Sequence, residues 1–112
     1  DFEGFKINNK WFVKELAFTS IDSEQYSDDR IVCLTFQLAP YYHQLCETSR
    51  KQIDWCTQHL HGLPWDEGDF SLDQLDNYSK LLSNLFVKFY AKGKEKCDVL
   101  SRLLKKTVLN VE

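Results

Sequence analysis

The chain of 112 residues contains no methionine, only two prolines and four glycines, and no long apolar run. Because Met is absent, we expect a processed or trimmed piece that does not begin at a natural start codon and that does not carry every residue of its site. A membrane-spanning helix needs about 20 apolar residues, so no membrane partner is predicted. Internal repeats, low-complexity tracts and linkers are also absent. Length and composition therefore predict one domain over residues 1–112, truncated relative to its natural protein.

The sequence has four widely spaced cysteines and no Cys-x-x-Cys pair. Each lies among apolar neighbours, as reduced core cysteines do. We therefore predict free thiols and an intracellular protein, cytoplasmic or nuclear, with two disulfides as the alternative. The residues are Cys33, Cys46, Cys56 and Cys97.

Two histidine–cysteine pairs have the spacing of zinc ligands, His43 with Cys46 and Cys56 with His59. Both pairs fall on one predicted helix, where ten residues separate the cysteines by about 15 Å along the axis. Tetrahedral zinc requires every ligand within about 2.3 Å. No zinc site is therefore expected, unless the helix breaks near Ser49.

The net charge of −3 conceals an asymmetry between the two parts of the chain. Residues 1–79 are acidic on balance, whereas residues 80–112 are basic. A basic segment is suited to meeting phosphates. The alternative is a solvated helix face, since Lys and Arg also favour helix C-termini. The basic side chains are Lys80, Lys88, Lys92, Lys94, Lys96, Arg102, Lys105 and Lys106.

Aromatic and β-branched runs predict strands, and apolar residues at helical spacing predict helices. The predicted order is β-β-β-α-α-β-α-β, a mixed α/β sheet with helices packed on it. The first three strands form an antiparallel meander, and the last strand–helix–strand unit pairs its strands in parallel. The predicted strands are a short one at the start of the chain, followed by a turn marked by Gly4 and Asn8-Asn9, then 11–19, 31–37, 86–91 and 107–111. Residues 20–30 are expected to form a loop. The predicted helices are 40–60, opened by Pro40, one starting at a Ser71–Gln74 capping box, and 94–106.

The chain opens with two carboxylates one residue apart, Asp1 and Glu3. Alternate residues of a strand share a face, so both acids would project together while Phe2 turns into the core. Adjacent carboxylates repel unless a cation lies between them, and hard divalent cations prefer such oxygen ligands. The alternative is a pair of solvated acids at a frayed terminus.

The predicted order and the Asp-x-Glu pair resemble the ribonuclease H-like fold and, within it, the DEDD group of 3′–5′ exonucleases, whose first strand carries such a pair. The runs 1–5, 12–17, 61–65 and 89–95 are similar to nuclease-like proteins of insects. The resemblance implies a hydrolase that cuts phosphodiesters with two Mg²⁺ or Mn²⁺ ions. Asp1 would bridge the metals, and Glu3 would bind the ion that activates water.

The family's second acidic motif follows a strand like 86–91, and there the resemblance implies Glu95 or Asp98 as the acid. The Asn and the aromatic-Asp step of that motif are missing. The family's last motif, a His or Tyr ahead of an Asp, would come after residue 112. The predicted catalytic set is therefore Asp1, Glu3, Glu95 and Asp98, with metal on Asp1 and Glu3, and the site is expected to be incomplete in this chain.

Nucleic acid, expected to be single-stranded, would approach from the side of residues 92–106, where the candidate binding side chains are Lys92, Lys94, Lys96 and Arg102. Two alternatives remain open. One is a non-catalytic protein-interaction module, and the other is an RNA-binding pseudonuclease. All three readings place the acidic pair beside the middle of the sheet.

Overall fold

A computed structural model of the chain describes residues 1–20 and 31–112. Most of the predicted 20–30 loop lies outside this part of the chain. The described part is a mixed α/β structure. Its strands are β1 (Phe2–Ile7), β2 (Lys10–Phe18), β3 (Val32–Gln37), β4 (Phe70–Ser71), β5 (Phe89–Ala91) and β6 (Val108–Asn110). Its α-helices are α1 (Glu47–Cys56), α2 (Asp73–Leu85) and α3 (Lys94–Leu104).

Strands β1 and β2 form an antiparallel hairpin closed at Asn8 and Asn9. Both asparagines have positive φ, 52° and 64°, a conformation that Asn tolerates and that tight hairpin turns require. The prediction of a turn at Gly4 was wrong, because β1 runs through it. A Cβ at Gly4 would lie 2.3 Å from the Phe12 carbonyl oxygen, so glycine permits the close approach of the two strands.

The hairpin contains a β-bulge. Glu3 pairs with Glu15 and Gly4 with Val13, so Lys14 is the extra residue of β2. A bulge interrupts the alternation of faces, and for this reason Val13 and Lys14 are both buried although they are consecutive.

The meander of β1, β2 and β3 was predicted correctly. The unpredicted two-residue strand β4 pairs in parallel with β3 and completes a four-stranded mixed sheet of order β1-β2-β3-β4. Strand β1 is therefore an edge strand of this sheet. The expectation that the acidic pair lies beside the middle of the sheet was wrong, since β5 pairs with β6 in a separate two-stranded sheet.

The predicted helix over 40–60 is not continuous. A 3₁₀ turn at Tyr42–Gln44 precedes an extended Cys46, and α1 starts only at Glu47. Contacts from a distant loop explain the delay: Asp66 accepts a hydrogen bond from the Tyr42 amide, and the Trp65 indole donates to the Pro40 carbonyl. The predicted end was right, because a π-helical turn at Thr57–His61 stops at Gly62, whose φ is +70°.

The unit formed by β5, α3 and β6 was also predicted correctly, with its two strands parallel. The prediction of a capping box at Ser71 was wrong, because Ser71 belongs to β4 and α2 starts at Asp73 without a side-chain cap.

Two apolar clusters fill the structure, one between the sheet and α2, β5, α3 and β6, the other between β1 and α1 around the buried Trp65. All four cysteines are free thiols. Cys56 and Cys97 are buried as expected, whereas Cys33 and Cys46 are exposed, so their assignment to the core was wrong. Within residues 1–20 and 31–112, no helix has the length and apolar character needed to cross a membrane.

Candidate functional site

The acidic pair, Asp1 and Glu3, lies on a regular part of the hairpin. The Asp1 backbone exchanges two hydrogen bonds of 2.8 Å with Ala17, so it extends the β1–β2 ladder by one residue. Phe2, between the two acids, is 1% exposed and packs in the core. The strand therefore holds both carboxylates on its outer side.

The ammonium of Lys96, in the first turn of α3, lies between these carboxylates. Its Nζ is 3.2 Å from Asp1 Oδ1 and 3.8 Å from Glu3 Oε1. It also donates a hydrogen bond of 2.9 Å to the Phe2 carbonyl and lies 5.3 Å from the centre of the Phe2 ring. Lys96, predicted to contact nucleic acid, is thus bound to the residues predicted to hold metal.

Glu95 points to another part of β1 and β2. Its Oε1 accepts hydrogen bonds of 2.7 Å from both Lys6 Nζ and Trp11 Nε1. These two bonds, the one from Lys6 first, lower the pKa of the Glu95 carboxyl from its ordinary value. The carboxylate is consequently satisfied as a tie between α3 and the hairpin.

Asp98 lies on the solvent side of α3. Lys94, Asp98 and Arg102 follow one another at intervals of four residues, so they share one helix face, and all three are exposed. Asp98 therefore separates two of the predicted nucleic-acid-binding cations along this face.

The four predicted catalytic carboxylates do not form one cluster. Within residues 1–20 and 31–112, no group of three or more His, Cys, Asp or Glu side chains could hold a metal ion. Only the acidic pair converges, and an ammonium lies between its members. These residues do not fit a two-metal centre, so no step through Mg²⁺ or Mn²⁺ is derived. The four zinc-type residues are likewise spread out, with His43 in the 3₁₀ turn, Cys46 before α1, Cys56 at the end of α1 and His59 in the π-helical turn.

A different set of side chains lines the outer face of β5. Lys88, Tyr90 and Lys92 alternate with the inward-facing Phe89 and Ala91. All three are exposed, and Tyr90 retains 48% of its accessible surface. We call this set the β5 strip. Tyr90 lies beside Leu109 of β6, its partner in the parallel ladder.

Sequence reasoning named Lys92 as a site residue and Lys88 as one of the basic side chains suited to phosphates, but it missed Tyr90. The signal was present, because period-2 alternation through the predicted strand 86–91 and one residue beyond it places positions 88, 90 and 92 on one face. Not every cation of the basic segment is available in the same way. Lys106 donates hydrogen bonds to the carbonyls of Ser83 and Phe86 and so ties α2 to the end of α3.

Comparison with protein-family models, with curated proteins and with solved structures gave no match to this chain. The resemblance to ribonuclease H-like exonucleases therefore stays a prediction.

Proposed function

We propose that this chain is a nuclease-like domain that binds single-stranded nucleic acid on the β5 strip. The observation that carries this proposal is the exposure of an aromatic ring, Tyr90, on β5 (Phe89–Ala91), with an exposed lysine directly before the strand and another directly after it. Successive bases stack on aromatic side chains, and flanking lysines follow the phosphate backbone. No cleavage step is assigned to the described residues, because they do not assemble a metal centre.

The finer fold assignment belongs to the same proposal. Three antiparallel strands followed by a parallel strand–helix–strand unit support a ribonuclease H-like ancestry. An intracellular location, cytoplasmic or nuclear, is also proposed, and the four unpaired thiols support it.

Lys94 and Arg102 on α3 are two further exposed cations outside the β5 strip, with the exposed Asp98 between them. Both are exposed, and long basic side chains of this kind contribute to affinity through phosphate contacts without reading sequence. We therefore expect binding with little base preference and a marked dependence on salt concentration.

The second candidate function is a protein-interaction module, which exposed apolar side chains near the β5 strip favour. Val87 is 87% exposed, and Leu81 and Leu85 are exposed one turn apart on α2. Exposed apolar groups in such numbers are typical of surfaces that contact another protein.

A fluorescence anisotropy titration with a labelled single-stranded oligonucleotide tests the proposal. Tyr90→Ala should weaken binding by about tenfold or more, since stacking contributes about 1–3 kcal/mol per base. Lys88→Ala and Lys92→Ala should each weaken binding and reduce the slope of log affinity against log salt by about 0.7, because each removes one phosphate contact.

Lys51→Ala is the matched control, because Lys51 is an exposed lysine on α1 that pairs with Glu47 on its own helix. It should leave affinity unchanged. Equal losses for Lys51→Ala and Lys92→Ala would show that net charge alone governs binding. An unchanged affinity in Tyr90→Ala would remove the β5 strip as the site and leave the protein-interaction candidate in its place.

A further inference from the structure

Two carboxylates on one strand face need a nearby positive charge, since like charges at this separation raise the cost of ionising both. In this protein the charge comes from the chain itself. Lys96 Nζ lies 3.2 Å from Asp1 and 3.8 Å from Glu3, on the side of the strand where a bound cation would have to lie.

The ammonium is held by more than charge. An ammonium has three donors, and here one of them is directed at the Phe2 carbonyl, 2.9 Å away. The Lys96 Nζ lies over the Phe2 ring, and the side chain is only 30% exposed. Its position on α3 is fixed by the next residue, Cys97, which is buried in the core. The ammonium donates to the Phe2 carbonyl and to Asp1 Oδ2, 3.4 Å away, whereas Glu3 contributes charge without a hydrogen bond.

A divalent cation at the same position would have to displace this ammonium. If Lys96 stayed in place, an adjacent positive charge would oppose binding. If it left, the metal would have two carboxylates among residues 1–20 and 31–112, because Glu95 is bound to Lys6 and Trp11 instead. Mg²⁺ would then depend on water for the rest of its octahedral shell.

We propose that Lys96 is the resident cation of the acidic pair, so that in the folded protein an ammonium offsets one of the two negative charges and occupies the position of a divalent metal. The inference goes beyond the proposed function, whose site is the β5 strip, and the two agree in that single-strand binding would be independent of Mg²⁺. The acidic pair becomes a metal ligand set only when Lys96 is removed.

The test is a Mn²⁺ titration of the folded protein without nucleic acid, followed by paramagnetic broadening of backbone amide signals and by calorimetry. The wild-type protein should show no selective broadening at Phe2 and Glu3. Lys96→Gln should gain broadening at these two amides and bind Mn²⁺ at least about tenfold more tightly, because one positive charge is removed near the carboxylates.

Two further variants assign the effect. Lys96→Arg keeps the charge and should behave as the wild type. Asp1→Asn added to Lys96→Gln should abolish the new binding. Selective broadening at Phe2 and Glu3 in the wild type would overturn the proposal, and so would a folded Lys96→Gln protein without gain in Mn²⁺ binding. If Lys96→Gln does not fold, the wild-type spectrum alone decides. Because nucleic acid is absent, failure here is distinct from failure of the anisotropy test.

Discussion

Lys14 and Lys96 each join separate segments of this molecule through an ammonium group, but the surroundings of the two groups differ. Lys14, the bulge residue of β2, is 0% exposed, and its Nζ donates to the carbonyls of Phe36, Trp65 and Glu67. Lys96 instead lies at the surface between two carboxylates. One ammonium is bound by neutral backbone dipoles inside the protein, and the other by charges that face solvent.

This difference distinguishes Lys14, which makes a structural contact, from Lys96, which belongs to the candidate site. Burial lowers the pKa of Lys14 from its ordinary value, an effect that the charges of Asp66 and Glu67 partly offset. Such a group is retained because it satisfies carbonyls that would otherwise be buried without partners. Gly68 permits this arrangement, since a Cβ there would lie 2.4 Å from the Phe36 carbonyl carbon. Lys96 contacts two carboxylates that solvent could also satisfy, besides its one backbone bond to the Phe2 carbonyl, so its role is mainly electrostatic.

The largest expected effect is on the Lys14 side. Lys14→Met keeps the length and apolar stem but removes the ammonium, which takes one donor from the carbonyls of Phe36, Trp65 and Glu67, although the Trp65 carbonyl keeps a bond of 3.4 Å from the Leu38 amide. Each unsatisfied buried carbonyl costs about 1–3 kcal/mol, so the free energy of unfolding should fall by about 3 kcal/mol or more. Urea denaturation followed by Trp fluorescence measures the loss.

Lys10→Met is the control for this substitution, because Lys10 is an exposed lysine on the same strand. It should change the free energy of unfolding by no more than about 0.5 kcal/mol. Equal effects of the two substitutions would show that Lys14 is not a structural contact, and the contrast with Lys96 would disappear.

A smaller effect is expected from His61, which joins the π-helical turn to β1. Its Nδ1 accepts a hydrogen bond of 3.0 Å from the Leu63 amide, so the neutral ring carries its proton on Nε2 and donates to the Gly4 carbonyl at 3.2 Å. Burial, the largest cause, lowers the pKa of His61 from its ordinary value. A protonated Nδ1 could not accept the hydrogen bond from the Leu63 amide, so this bond also favours the neutral ring and a lower pKa of His61.

Because the folded-state pKa is below the unfolded value of about 6.5, the contribution of His61 to stability is complete above that value and is lost as the pH falls through the folded-state pKa. Urea midpoints between about pH 7.5 and pH 5 should therefore decline. His61→Gln should flatten this decline, whereas His59→Gln, at an exposed position, should not. An equally steep decline in His61→Gln would assign the pH dependence to other groups.

Much of the fold could be predicted, because short-range patterns dictate it. Aromatic and β-branched runs predicted the strands of the meander, and a β-type run followed by helical spacing predicted the parallel unit at the end of the chain. The start of α1 could not be predicted, because it depends on contacts of Tyr42 and Pro40 with Asp66 and Trp65, 24 and 25 residues further along. Such tertiary contacts override local propensity.

The candidate site was predictable to the same extent. The common face of Asp1 and Glu3 follows from the period of a strand, and the structure places both carboxylates there. The neighbour that neutralises them is about 95 residues away in sequence. Spacing cannot identify such a partner, and Lys96 was therefore assigned to nucleic acid together with Lys92 and Lys94. The bulge that turns Lys14 inward could not be predicted for a similar reason, because it depends on the pairing of β2 with β1.

The smallest expected effect is the most informative about the contrast between the two lysines. Lys96→Gln should lower the free energy of unfolding by no more than about 1 kcal/mol, because ion pairs with solvent-exposed partners contribute little. Asp1→Asn should cost still less, and the two changes together should not be additive, because both remove the same contact. Urea denaturation of the single and double variants measures this coupling. A loss from Lys96→Gln as large as that from Lys14→Met would mean that the contact between Lys96 and the acidic pair stabilises the fold. The ammonium beside Asp1 and Glu3 would then serve folding rather than ligand binding.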